Sequence, residues 1–424
     1  MASRTKTPHQ SPLIGTRALN RATLARQLLL SRAEMSAGDA VAHLVGLQAQ
    51  NVKPPYFQLH ARLAGFRPAE LAGLMESREV VRMVTMRSTI HTHTAHDALT
   101  LRPLVQAARD REVAYFRKGL TGVDLDRLAE RARAFVEAEP HTMAEIREEL
   151  LVHWPAADPQ SLSVAARCLL PLVQVTPRGV WGRSGQVRLT TVERWLGADA
   201  GAAQPVDDVV LRYLGAFGPA SVKDMQTWAG LTRLREAFER LRPRLLTFRD
   251  ESGTELFDLP DAPRPDADTP APPRFLPEFD NLLLSHADRS RVVAPENRNR
   301  TWTGNQAHRT LLVDGFLAGL WRLDDAPTSG PADHNGAGVN RPGVDGAGAN
   351  RPGVDGAGAN RPGVDGARAN RPGPDAPAPP PVLTVELFGT PSRARKEEIE
   401  AEGQVLLATM AGGPGSVRFG SIHG

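Results

Sequence analysis

Gln48 and Gln50, separated only by Ala49 in the run Val45-Gly46-Leu47-Gln48-Ala49-Gln50-Asn51, are the side chains whose type and spacing most suggest chemistry. A Gln cannot serve as a general acid or base at neutral pH, but its carbonyl oxygen can orient a water and its NH2 can hold an acceptor. Such a pair suits a reaction whose leaving group needs no proton. Residues two apart lie about 200° apart on an α-helix but on one side of an extended strand. Both amides can face one reactant only if the chain unwinds near Leu47, or if one Gln acts from an adjoining turn. The alternative is two ordinary polar residues at a helix C-terminus.

The elements around the pair follow from pattern. Ser36 with Asp39 three positions on reads as an N-cap for a helix from about Ala37 to Leu47. An earlier helix spans roughly Arg21 to Arg32, and a third starts at Pro54-Pro55, where Pro is favoured in the first turn. Val80 to His93 is β-rich. Three helices and a strand pair make a winged-helix pattern. The same order recurs over 124–191, and again over 206–259, where Asp250-Glu251-Ser252-Gly253 forms the wing turn. After a Pro-rich linker, Arg309 to Leu323 reads as a hairpin turning at Asp314-Gly315, Pro381 to Phe388 as a strand and Pro391 to Met410 as a helix.

The expected architecture is α+β: three tandem winged-helix modules around a C-terminal small β-barrel with a closing helix. The modules are 13–120, with the Gln-x-Gln site, 121–200 and 201–260; linker and β-module occupy 261–411. Residues 1–12 and 412–424 are expected to be disordered tails. An insertion at 326–380 carries decapeptide repeats of the form Gly-Val-Asn-Arg-Pro-Gly-Val-Asp-Gly-Ala, too poor in apolar residues for a core, and reads as an expanded, disordered hairpin loop.

Length and charge narrow the classes. At 424 residues the chain has room for several cores. Its single cysteine, Cys168, excludes an internal disulfide framework and a Cys-rich zinc site. No run of about 18 apolar residues occurs and the N-terminal stretch is polar, so no membrane association and a cytoplasmic, nucleoid-associated location are expected. The net charge of +3 is uneven: residues 1–120 hold 17 Lys+Arg against 8 Asp+Glu. A basic lobe of +9 is the footprint of a polyanion binder. His91, His93 and His96 have the spacing of metal ligands, but lack a nearby Cys or carboxylate other than Asp97; strand residues facing solvent or DNA are the reading kept, and no metal is expected.

Three motifs in this order, Gly46-Leu47-Gln48-Ala49-Gln50, Met86-Arg87-Ser88-Thr89-Ile90-His91 and Phe275-Leu276-Pro277-Glu278-Phe279-Asp280-Asn281-Leu282-Leu283-Leu284-Ser285-His286, carry a resemblance. The chain resembles the AlkZ-type winged-helix DNA glycosylases, which remove alkylated bases and unhook interstrand crosslinks. The resemblance covers roughly residues 13–411 outside the repeats. It implies catalysis by Gln48 and Gln50, no cofactor, and double-stranded damaged DNA as the partner of a monomer. Gln rather than Asp at the third position of the tripeptide is similar to the branch that handles bulky adducts and crosslinks, as in self-resistance or alkylation damage.

The chemistry agrees with that implication. An N7-alkylated guanine is cationic and leaves as a neutral base, so a protonating side chain adds little. An amide carbonyl aimed at the anomeric carbon would hold the water and stabilise developing positive charge. Which Gln does so is open. A crosslinked base cannot swing out freely, so the enzyme would work within the helix through a groove, with a wing hairpin as probe. Lys53, Arg62, Arg82, Arg87, Ser88, Thr89 and His91 are the expected DNA contacts, the arginines through phosphates; Lys53 could instead be imagined as a Schiff-base nucleophile. Asp280, Asn281 and His286 are expected to support the site, though Asp280 equally could cap a turn. A non-catalytic winged-helix regulator, reading bases through helices such as 231–242 with Arg233, Arg235, Arg240 and Arg242, is the competing class.

Overall fold

The computed structural model of the chain describes residues 11–199, 201–304, 306–324 and 380–422. The decapeptide array and residues 1–10 lie outside them. The architecture is mixed α+β.

The helix seeded by Ser36, whose Oγ accepts from Asp39 N at 3.0 Å, runs only over Ala37–His43. It ends in a Schellman turn: Gly46 N bonds Val41 O at 2.9 Å and Val45 N bonds Ala42 O at 3.1 Å, with Val45 at φ 54 and Gly46 at φ 93. A β-branched residue rarely adopts that conformation, at a cost of order 1–3 kcal/mol. Val45 is fully buried in the apolar cluster that also holds Met86, Tyr213 and Trp228, and that burial offsets it. The helix expected to reach Leu47 therefore stops early, and the chain emerges extended as β1 (Leu47–Gln48).

β1 pairs antiparallel with β3 (Ile90–Thr94), which forms a hairpin with β2 (Val80–Val84); β2 pairs in turn with β4 (Leu172–Gln174), and β4 with β5 (Leu189–Thr191). The strand order is β1-β3-β2-β4-β5, so the first two segments share one sheet. In the third segment, helices Val206–Phe217, Val222–Ala229 and Arg235–Leu241 precede the hairpin β6 (Leu246–Arg249) and β7 (Glu255–Asp258).

The C-terminal strands are β8 (Arg274–Leu276), the small hairpin β9 (Trp302–Thr303) and β10 (Gln306–Ala307), then β11 (Thr310–Val313), β12 (Phe316–Asp324), β13 (Val382–Leu387) and β14 (Ser416–Phe419). β11 and β12 turn at Asp314-Gly315 with both residues at positive φ, as a type I′ two-residue hairpin loop requires. The fold departs from the expected architecture at two points. The sheet β14-β13-β12-β11-β8 is open, not a closed barrel: helices Pro54–Arg62 and Arg393–Met410 pack against the edge strand β8, which removes the need to close the sheet on itself. Residues 416–419, assigned to a tail, add β14 in parallel to β13.

A single core joins the chain's two ends. Leu44, Leu47, Phe57 and Leu59 pack with Phe275, Trp321, Val385, Ile399 and Leu407, and the Phe57 and Trp321 rings are 5.6 Å apart. Ion pairs do the same. Arg21 meets Asp314 at 2.5 Å, Arg26 meets Asp258 at 2.5 Å, Arg32 meets Glu402 at 2.6 Å and Arg62 meets Asp280 at 2.8 Å. The basic segment finds its counter-charges in the acidic segments of the same chain.

Candidate active site

The chain is extended at Leu47–Gln48, Ala49 N continues the ladder by donating to Ile90 O at 2.8 Å, and Gln50 follows in a bend, so the two glutamines leave a strand end rather than a helix. Gln48 is only 4% exposed. Its N–H donates to Asn281 Oδ1 at 3.2 Å, its carbonyl accepts from Gln58 Nε2 at 2.9 Å, and its side-chain Oε1 accepts from Arg87 Nη2 at 2.5 Å. Asn281 completes the bracket by donating Nδ2 to Gly46 O at 2.8 Å, so one amide side chain stands in for a neighbouring strand. Gln50 is more open, and its Oε1 accepts one bond, from Ile90 N at 3.3 Å.

Arg87 is placed by the tight turn between β2 and β3, where Arg87 and Ser88 sit at φ 52 and 61. Besides Gln48, its guanidinium holds the carbonyl of Trp228 at the end of helix Val222–Ala229. Burial lowers its pKa to about 10, which leaves it cationic at neutral pH. Gly230, two residues past Trp228, has φ 70, and an added Cβ there would meet Arg87 N at 3.0 Å. The close approach of these two turns thus requires a glycine.

His91 pairs with Gln48 in the ladder and is buried. Its Nδ1 donates to Thr89 O at 3.0 Å, so Nε2 is the lone-pair nitrogen facing Arg87 Nη2 at 3.4 Å. Burial, with Arg87 and His93 adjoining, holds it neutral, well below the ordinary imidazole range. His93, also buried, is pushed down to about 4 by burial and bonds Thr85 Oγ1 at 2.9 Å. The expectation of outward-facing histidines is corrected: both rings are enclosed, and His96 alone is exposed, on the following helix.

The other sequence candidates separate into layers. Arg82 is buried across the strand, donating to Ala49 O at 2.9 Å and Gln174 Oε1 at 3.2 Å. Arg62 lies behind the site in a fully buried two-pronged pair with Asp280, both bonds 2.8 Å, and Asp280 also caps Asn281–Leu284 through Leu282 N. Neither arginine offers the solvent-facing guanidinium expected of a phosphate contact; Arg82 braces the chain after β1, and Arg62 ties helix Pro54–Arg62 to Asp280. His286 is turned away, 2.9 Å from Phe217 O. Lys53 is exposed at the start of helix Pro54–Arg62, Ser88 Oγ donates to Glu112 Oε2 at 2.9 Å, and Thr89 Oγ1 donates to Met86 O. Gln58 and the Trp228 carbonyl were missed. A glutamine set between Phe57 and Leu59 in a short helix was the available signal for Gln58. A cavity of 660 Å³ lies elsewhere, between Ser221–Asp224 and the 250–257 hairpin, and does not include the glutamines.

Residues 41–331, which contain all three motifs and the hydrogen-bonded set just described, match the family model described as DNA glycosylase AlkZ-like. The chain is 27% identical over 329 residues to the interstrand DNA cross-link repair glycosylase of Streptomyces sahachiroi, an overlap of 71% of this chain and 85% of that protein. The solved structure of Streptomyces sahachiroi DNA glycosylase AlkZ superposes with a TM-score of 0.71 over 96% of this chain and 100% of that one, at 18% identity, a likeness of fold. These likenesses define the class as DNA glycosylase, a hydrolase of N-glycosyl bonds. Within it, the chain belongs to the AlkZ-like DNA glycosylase family. Among the described residues no helix is long and apolar enough to cross a membrane.

Proposed function

We propose that this chain hydrolyses the N-glycosidic bond of N7-alkylated purines in duplex DNA, including bulky adducts and interstrand crosslinks, and leaves an abasic site. The observation that carries the reading is the chemical make-up of the site. Every side chain hydrogen-bonded to Gln48 is an amide or a guanidinium, Gln50 bonds a backbone amide, and the two imidazoles close by, His91 and His93, are held neutral. A site without a general acid suits a substrate that already carries its positive charge.

The two amides divide the work. Gln48 Oε1 is engaged by Arg87, which turns its NH2 towards the reactant as a donor to a sugar or phosphate oxygen. Gln50, with a lone pair left on Oε1, is the acceptor that orients the water. The water oxygen bonds C1′, the electron pair of the C1′–N9 bond neutralises the purinium, and the water's proton passes to solvent. The three-helix and hairpin unit at 206–258, with the related element orders before it, serves in this reading as winged-helix DNA-binding scaffolding.

The test is incubation with duplex DNA containing N7-methylguanine, followed by detection of free base and alkali-labile abasic sites. Release that disappears in a Gln48→Ala, Gln50→Ala double variant supports the proposal. Full activity in that variant sinks the site, and tight binding to one undamaged sequence with no release sinks the reaction.

A further inference from the structure

The fold uses up most of the positive charge of the basic segment. Between residues 11 and 120, each of Arg17, Arg21, Arg26, Arg32, Arg62 and Arg67 has a carboxylate partner. Arg78 stacks on Trp195, Arg82, Arg87 and Arg102 bond carbonyl oxygens, and Arg109 meets Glu112 at 3.1 Å. Apart from Lys53, which has a contact of its own, the cations that remain are Arg111, Arg117 and Lys118. All three are exposed and fall within eight residues, on the last turns of helix Gln106–Tyr115 and the 3-10 turn Arg117–Leu120. Tyr115 stands among them, 56% exposed.

The patch is tied to the active site. Glu112, one residue beyond Arg111, accepts from Ser88 Oγ at 2.9 Å, and Ser88 is the neighbour of Arg87 in the turn that holds Gln48. Arg109 and Arg167 clamp the Glu112 carboxylate at 3.1 and 2.5 Å, so it is not available to neutralise Arg111. Asp158, beside the 3-10 turn, is likewise committed as a helix cap, to Ser161 N at 2.7 Å. From Arg111 to Lys118 the helical rise gives an axial reach of about 10 Å, or roughly three nucleotides of one strand at a rise of about 3.4 Å each.

We propose that Arg111, Tyr115, Arg117 and Lys118 form a contact surface for the sugar–phosphate backbone of duplex DNA flanking the lesion. The proposal rests on the glycosylase reading of the neighbouring site. The cations bind consecutive phosphates and the Tyr115 phenol donates to a phosphate oxygen, contacts that fix register without reading sequence. A helix C-terminus favours nearby cations in any protein. That accounts for Arg117 and Lys118, but not for Arg111 a turn and a half earlier or the exposed phenol between them.

The full chain carrying Arg111→Ala, Arg117→Ala and Lys118→Ala tests this by fluorescence anisotropy on a duplex with one N7-methylguanine, from 50 to 300 mM salt. The expected result is an affinity lower by about tenfold or more, and a slope of log affinity against log salt shallower by roughly 2 to 3, near 0.9 per lost contact. Arg111→Lys with Arg117→Lys keeps the charge and should keep the slope. Affinity and slope equal to wild type in the alanine variant overturn the surface. So does a slope that falls equally in the alanine and lysine variants, since that reports altered folding. Base release by the wild type is measured on the same duplex: its absence counts against the glycosylase reading, while the salt slopes still decide the surface.

Discussion

Arg87 Nη2 lies 2.5 Å from Gln48 Oε1, and the same guanidinium holds the carbonyl of Trp228, 141 residues further along the chain. One cation thus sets the rotation of the Gln48 amide and fastens the candidate site to the third helical segment. Its charge also reinforces the hydrogen bond, since bonds to ionised donors are roughly twice as strong as neutral ones.

Removing that cation should cost more than one bond. Arg87→Ala leaves the buried Trp228 carbonyl and Gln48 Oε1 without their donor, and bonds to charged groups are worth about 1.5–3 kcal/mol. Base release under single-turnover conditions is expected to fall about tenfold to a hundredfold. Arg87→Lys, with a point charge in place of a fork, should recover only part. Equal single-turnover rates in wild type and Arg87→Ala would remove Arg87 from the site.

The two glutamines should differ. If Gln50 holds the water, Gln50→Ala loses about 10²–10³ in the single-turnover rate, the scale for removing one transition-state contact. Gln48→Ala should lose less in rate and more in affinity. The opposite ranking, from rate and binding measured on one N7-methylguanine duplex, would exchange their roles.

Gly46 is fixed by space as well as by dihedral. At φ 93 an added Cβ would overlap the His93 ring and lie 3.2 Å from Thr92 O. Gly46→Ala should destabilise the protein by about 1–3 kcal/mol, from the combined strain and overpacking. Thermal melting checks it; an unchanged midpoint would contradict the tight packing beneath the glutamines.

Arg62 and Asp280 are a structural pair with both side chains fully buried. Removing one partner strands the other charge, so Asp280→Ala should cost about 3–5 kcal/mol. Replacing both with apolar residues of similar size should cost less. A double variant that melts below Asp280→Ala would show that each residue has a separate task.

Stability should also depend on pH through the buried imidazoles. Burial holds His93 and His286 at about 4, against 6.5 for a free imidazole. The unfolded chain then binds more protons than the native one below 6.5, so this stability is complete above pH 6.5 and is lost as pH falls towards 4. Each such histidine contributes up to about 1.4 kcal/mol per pH unit in that window. Denaturant midpoints that do not fall between pH 6.5 and 4.5 would place those rings in contact with water.

The local signals in the sequence were those set by neighbours in the chain. The Ser36 cap, the Pro54 helix start, the Asp314-Gly315 turn and the strand at 382–387 depend on contacts within a few residues, and the structure has each of them. The tripeptide Gln48-Ala49-Gln50 could be singled out because its two amides stand one residue apart, at the head of three motifs in a fixed order. What the sequence could not reveal depended on distant partners. The helix end at His43 goes with the burial of Val45 in a cluster built largely from residues 206–257, and the open sheet with the helices that cover β8. Charge shows the same division most sharply. The sequence determines how many cations residues 1–120 carry, but a charge acts on whatever lies within a few ångströms of it, and only the tertiary structure chooses those neighbours. It commits Arg62, Arg82 and Arg87 to Asp280, the Ala49 carbonyl and Gln48, and leaves Arg111, Arg117 and Lys118 facing outward.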